Sequence, residues 1–410
     1  MMNSVYADGE RMNQKTTSVS CDNQPINADI SGLANILEAL TRIPFELTVL
    51  LLAGKKTPPF LAELTGISAS RLRRGNSSEF RESTVQSATT FAAAWSHKMA
   101  TDQGWSNEEI NLLVQTAPSS IAGEARPFAD FIHGLQLPGS YELPLATAFA
   151  EKVDLMIFRL LDAHRGDDLE GCKQAILECD WLEAVASQQN SGQQMEALRV
   201  ASDWQAVLPA IQPFLFDMLL CLFAALDAEF GLVYFSYFQP RPIFLFVMPK
   251  LNAKVDLGSL DNIPKRNFIY RPVRRLLELT HALMVLKRDQ CWPEKPVGRK
   301  LLGEALDLMD QEIGNFFDGT RNMNAKLFED YWVKLHQTVA NGEPCASPLP
   351  LLLTTLVWQS WITRHPGQKL KSLILPDKES YTRFWKWHHQ RWASKLDKGT
   401  TVGWPAWLDD

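Results

Sequence analysis

Three arginines within residues 71–74, at the end of the stretch FLAELTGISASRLRRGN (60–76), carry the strongest chemical signal in the chain. Guanidinium groups present a planar fork of donors that matches phosphate oxygens. Around Arg71, Arg73 and Arg74 stand Ser68, Ala69, Ser70 and Asn76, small or hydrogen-bonding residues of the kind that reach base edges and sugar-phosphate oxygens. Upstream, Ala62, Gly66 and Leu72 follow the spacing A-x3-G-x5-L. Two short helices that cross closely need a small residue in the first, a residue tolerant of positive φ in the turn, and an aliphatic plug in the second. The pattern predicts a helix from Pro58 to Leu64, capped by Thr57, a turn at Gly66 and a second helix from Ser68.

This arrangement resembles the lambda-repressor-like (Xre/Cro) helix-turn-helix DNA-binding domains, over roughly residues 44–97. The run SRLRRGNSSEFRESTVQSATTF is similar to that family's Arg-Gly turn, loop and fourth helix, the last starting near Ser83. The resemblance implies that DNA is the partner, with RNA as a second possibility. It implies that Ala69 and Ser70 face the DNA groove with Arg74 one turn later, and that Ser68, Arg71, Arg73 and Asn76 lie nearer the phosphates. Two positions depart from the family. PFELTVLLLAG, ahead of the pair, is more apolar than usual, as for a helix packed against the rest of the protein, and Pro58 stands where a polar phosphate contact is common.

A second constellation lies in PVRRLLELTHALMVLKRD, where Arg275 and His281 are separated by five residues, and in RFWKWHH, where Arg383 and His388 are separated by four. The spacing resembles the R-x4-6-H of HEPN ribonucleases, whose Arg and His act on an RNA phosphate. Here Leu276 and Phe384 replace the usual polar residue after the Arg, and amphipathic helices with solvated basic faces are the plainer reading. SYTRFWKWHHQRWASK interleaves rings with cations, the combination that grips single strands. A terminal helix burying Trp beneath snorkelling basic stems is the plainer reading. GxSxG, HExxH and GxGxxG are absent, and LLLAGKKT lacks the first Gly and the final Ser/Thr of a phosphate loop, with Val49 and Lys56 in their places. The six Cys include no CxxC pair and no Cys/His cluster at zinc spacing, so reduced thiols and no metal or cofactor are expected. These features predict a binding protein, with a HEPN-like ribonuclease or toxin using Arg275 and His281 as the alternative, and an interaction scaffold without nucleic acid as a third reading.

The elements that must position these residues are mainly helical. Residues 1–28 are polar and aperiodic and read as a disordered tail. Residues 29–100 form the helix-turn-helix domain, and 101–247 an acidic helical region, with 20 Asp/Glu against 6 Lys/Arg over 101–230. Its end, GLVYFSYFQPRPIFLFVMP, is rich in aromatic and β-branched residues and predicts a β-hairpin or small sheet near 231–247. Residues 248–410 are a basic, Trp-rich helical region: 12 Lys/Arg stand against 5 Asp/Glu over 250–300, 9 against 3 over 364–398, and eight of the 13 Trp follow residue 330. Such alternation of sign suits a polyanion on the basic faces and a protein partner or homo-oligomer elsewhere. The most apolar stretch, Pro213–Phe238, is interrupted by Asp217, Asp227 and Glu229 and is too broken for a bilayer. With no secretory signal in the polar N-terminus, cytoplasmic residence is expected.

Overall fold

The computed structural model describes residues 30–53, 107, 110–112, 126–135, 142–182, 184, 191–248, 250–251, 268–270, 272–317, 323–339, 350–356, 378–396 and 402–408. Ser68, Ala69, Ser70, Arg71, Arg73, Arg74 and Asn76 lie outside the described residues, as does the tail 1–28.

The described chain is mainly α. Helix α1, Ile30–Ala53, repeats buried leucines at 33, 37, 40, 47 and 51, the three-and-four spacing of one helical face, and packs against the helices that follow. Next come α2, Pro127–Gly134, α3, Pro144–Arg165, α4, Leu169–Leu177, and α5, Ser191–Val200. The central element is α6, Trp204–Tyr234, apolar on most of its circumference and therefore surrounded. After two short strands come α7, Pro272–Asp289, α8, Arg299–Leu306, α9, Asp310–Phe317, and α10, Ala325–Val339. Helix α11, Lys378–Leu396, returns to lie along α6. One contiguous cluster of buried side chains runs from Leu33 to Leu408 and includes members of both the acidic and the basic regions.

Three buried carboxylates hold this arrangement. Helices α2 and α3 begin with Pro127 and Pro144 and have no side-chain cap of their own at Arg126 or Leu143. Asp154 of α3 supplies the missing acceptors to α2, taking the N–H groups of Phe128 at 3.1 Å and Ala129 at 3.0 Å. Glu229 of α6 does the same for α3, accepting from Leu145 at 3.0 Å and Ala146 at 2.6 Å. Asp227, two residues earlier, accepts from Ile243 at 2.9 Å and Phe244 at 3.1 Å and so starts the 3₁₀ turn Phe244–Val247. A helix N-terminus leaves its first N–H groups without intrahelical partners, and here they are met from another helix.

That last contact corrects the expected β-hairpin near 231–247. Residues 231–234 complete α6, and 244–247 form the 3₁₀ turn. Phe238 makes only an isolated parallel bridge, to Val402. Aromatic residues with high strand propensity are turned onto the helix instead: Phe230 packs against Phe235 at 5.5 Å and Phe244 at 5.8 Å, while Asp227 fixes the returning backbone. Tertiary packing decides against propensity. The β-structure described is elsewhere, an antiparallel pairing of β1, Lys250–Leu251, with β2, Phe268–Tyr270.

Candidate nucleic-acid interface

Helix α11 has two faces, and the buried one explains why the other is held still. Tyr381, Phe384, Trp385, His388 and Trp392 are buried at three-and-four spacing. The Tyr381 hydroxyl donates to Asp227 Oδ2 at 3.0 Å and lies 3.3 Å from the Phe223 carbonyl. His388 Nε2 is 3.3 Å from Cys221 Sγ, and the rings of Phe149, Trp387 and Trp392 stand 4.6, 4.7 and 4.7 Å from the imidazole. A Cys beside a His invites comparison with a nucleophile and its base, which needs thiolate, imidazolium and access. None is available: burial pushes His388 down to about 3 and holds the Cys221 thiol well above its ordinary value, and both side chains are fully enclosed. The pair is a neutral anchor.

The opposite face of α11 lines a groove of about 710 Å³, which Ala184 also borders. Lys378, Thr382, Lys386 and Gln390 form one row at four-residue spacing, and Glu379, Arg383 and Trp387 form the next. Neither Lys378 nor Lys386 has a carboxylate partner among the described residues. Arg383 donates from Nη2 to Ser380 Oγ at 2.9 Å, a neutral partner, and its Nε has none among the described residues. The guanidinium of Arg391 lies over the Trp387 ring, 4.0 Å from its centroid, while the edge of Phe149 meets the same ring at 6.5 Å. Among the described residues three cations and one acid, Glu379, line the groove beside an indole–guanidinium stack, so positive charge and a planar surface are presented together.

The other sequence candidates are not gathered into a site. Arg275 is only 6 % exposed, and its Nη1 lies 3.5 Å from Glu278 Oε2. Glu278 also accepts from Arg274 Nε at 2.7 Å, and Arg274 covers the ring of Phe317. His281 is half-buried, and burial, followed by the charge of Arg288, lowers its pKa. Six residues turn a helix by about 240°, so Arg275 and His281 leave α7 in different directions. Arg383 and His388 are likewise parted, one at the groove and one in the core.

Sequence reasoning missed Asp154, Asp227 and Glu229 as structural acceptors. Their pKa values rise to about 7, 8 and 7, with burial the largest cause and the backbone donors opposing it. Each is filled by backbone N–H groups, so the raised values reflect the burial of structural acceptors. Among the described residues no three His, Cys, Asp or Glu side chains gather as metal ligands, and no helix is long and apolar enough to cross a membrane. The chain matches no protein-family model, and no curated protein or solved structure is detectably similar to it.

Proposed function

We propose that the protein binds nucleic acid, with DNA as its principal partner, as a regulator or a subunit of a nucleoprotein complex. The observation that carries this reading is the groove of α11, in which Lys378, Arg383 and Lys386 face outward beside Trp387 while the helix is fixed from behind. Lys378 and Lys386, which have no carboxylate partner among the described residues, are the kind of group that displaces counterions from phosphates. The arginines at 71, 73 and 74, in the segment that resembles an Xre/Cro helix-turn-helix, would add base reading, with Ser70 and Arg74 toward the bases. One bidentate Arg–guanine contact supplies about 1–3 kcal/mol of discrimination, too little by itself for tight specific binding. A single-stranded segment of the same nucleic acid held at the groove, or a second copy of the chain, would supply the rest. In this reading the remaining helical body serves for partner binding or oligomerisation.

Mobility shift of labelled duplex DNA and of RNA by the full chain, at increasing salt, tests the proposal. Binding that falls steeply with salt is expected, as is a loss of about ten-fold or more when Arg71, Arg73 and Arg74 are all replaced by Ala, since each phosphate contact contributes to the salt-dependent term. Absence of binding to either at low salt would contradict it. Cleavage of the RNA would make the protein a nuclease instead.

A further inference from the structure

Resting on that reading, the geometry points to the α11 groove as a single-strand site, in which Trp387, backed by the Arg391 guanidinium, stacks a base and Lys378, Arg383 and Lys386 hold the adjoining phosphates. Three features separate this from a duplex contact. A helix that reads a duplex protrudes into a major groove about 12 Å wide. The cations of α11 instead line a concavity of about 710 Å³, which Ala184 also borders and which suits a thin strand better than a rod.

The second feature is the stack. Phosphate contacts with a duplex need no ring, because its bases are already stacked on one another. A single strand exposes base faces and gains from aromatic and guanidinium planes. Trp387 is half-buried, steadied by the edges of Phe149 and His388, and carries the Arg391 guanidinium 4.0 Å from its centroid. A base stacking there would meet planes that lose little freedom on binding.

The third feature is spacing. Lys378 and Lys386 are eight residues apart along one row, about 12 Å on a helix, with Arg383 between them on the neighbouring row. Cations strung along the helix axis follow an extended backbone rather than a single point anion. Thr382 and Gln390, in the same row as the lysines, offer hydroxyl and amide groups to base edges, and Glu379, the one acid of the lining among the described residues, lies at the Lys378 end.

The test is fluorescence anisotropy of a labelled 20-nucleotide oligo-dT and of a 20-base-pair duplex, each titrated with the full chain at 50 mM salt. Trp387→Leu is expected to weaken oligo-dT binding by about ten-fold or more, the scale of one base–aromatic stack, and to leave duplex affinity unchanged. Trp387→Phe, which keeps a ring against Phe149, is expected to restore most of it, separating stacking from loss of packing; circular dichroism reports the fold of each. Equal weakening of both ligands by Trp387→Leu, or of neither, overturns the single-strand assignment while leaving duplex binding by the protein intact. Competition by polyglutamate as effective as that by unlabelled oligo-dT overturns it in favour of an acidic peptide. If neither nucleic acid binds, both this assignment and the proposed function fail.

Discussion

Asp227 shows how much a single buried residue decides in this protein. Its oxygens accept two backbone N–H groups and the Tyr381 hydroxyl, joining α6, the 3₁₀ turn and α11 at one point. Burial outweighs those donors and raises its pKa from 3.8 to about 8. Between these values the folded chain holds a proton that the unfolded chain has released. The stability this group contributes is therefore complete below pH 3.8 and is lost as pH rises through 8. The limiting slope is about 1.4 kcal/mol per pH unit for one proton. Asp227→Asn cannot titrate and leaves one backbone donor facing an amide, so it is expected to be less stable than the wild type at pH 5, with the gap narrowing toward pH 8. Urea unfolding of both chains at pH 5, 6, 7 and 8 measures this; a gap that stays constant across the series would show that the Asp227 carboxyl is ionised throughout.

At the scale of elements, two helices that sequence periodicity announced are present among the described residues. AEKVDLMIFRLLDAH lies within α3, and PVRRLLELTHALMVLKRD spans α7 end to end. Their starts and their partners were another matter. Pro127 and Pro144 mark first turns in the usual way, but the acceptors for those turns come from residues 154 and 229, far along the chain. No local cap motif encodes them, and in the sequence Asp227 and Glu229 read only as breaks in an apolar run. The strand expected near 231–247 failed for the same reason, since what fixes that segment is a contact from α6. On α11, the aromatic and basic residues were legible, but the division into a sealed face and a groove depends on Cys221, Phe149 and Ala184, which periodicity cannot pair with it. Glu229→Gln tests the capping account: an amide replaces one acceptor at the start of α3, at a cost of about 1–3 kcal/mol for an unmet buried donor. Hydrogen exchange at the Leu145 and Ala146 amides is expected to accelerate more than at mid-helix Met156. Uniform protection along α3 would mean that Glu229 does not hold its start.

For the whole molecule, counting charge by segment and locating charge that is available to a ligand give different answers. The excess of Lys and Arg over 250–300 is partly spent within the protein: Arg274 and Arg275 on Glu278, Arg288 on Asp289, Arg299 on Asp310 and Lys300 on Glu304. The excess over 364–398 reaches the surface at the α11 groove, where Lys378 and Lys386 lack carboxylates among the described residues. The C-terminal segment is tied to the segments after α6 and α7, with the Trp404 indole donating to the Gln239 carbonyl and Trp407 to that of Pro293, each through a buried or half-buried ring. We propose that this helical body presents the groove to a nucleic-acid backbone. The most direct measurement of this is the slope of log affinity against log salt for a labelled 20-nucleotide oligo-dT, comparing the full chain with Lys378→Gln/Arg383→Gln/Lys386→Gln. Each phosphate contact to a single strand contributes about −0.7 to that slope. The account predicts a slope shallower by about 2 in the triple variant, for three lost contacts at about 0.7 each, with affinity at low salt reduced alongside it. Identical slopes for the two chains would contradict it.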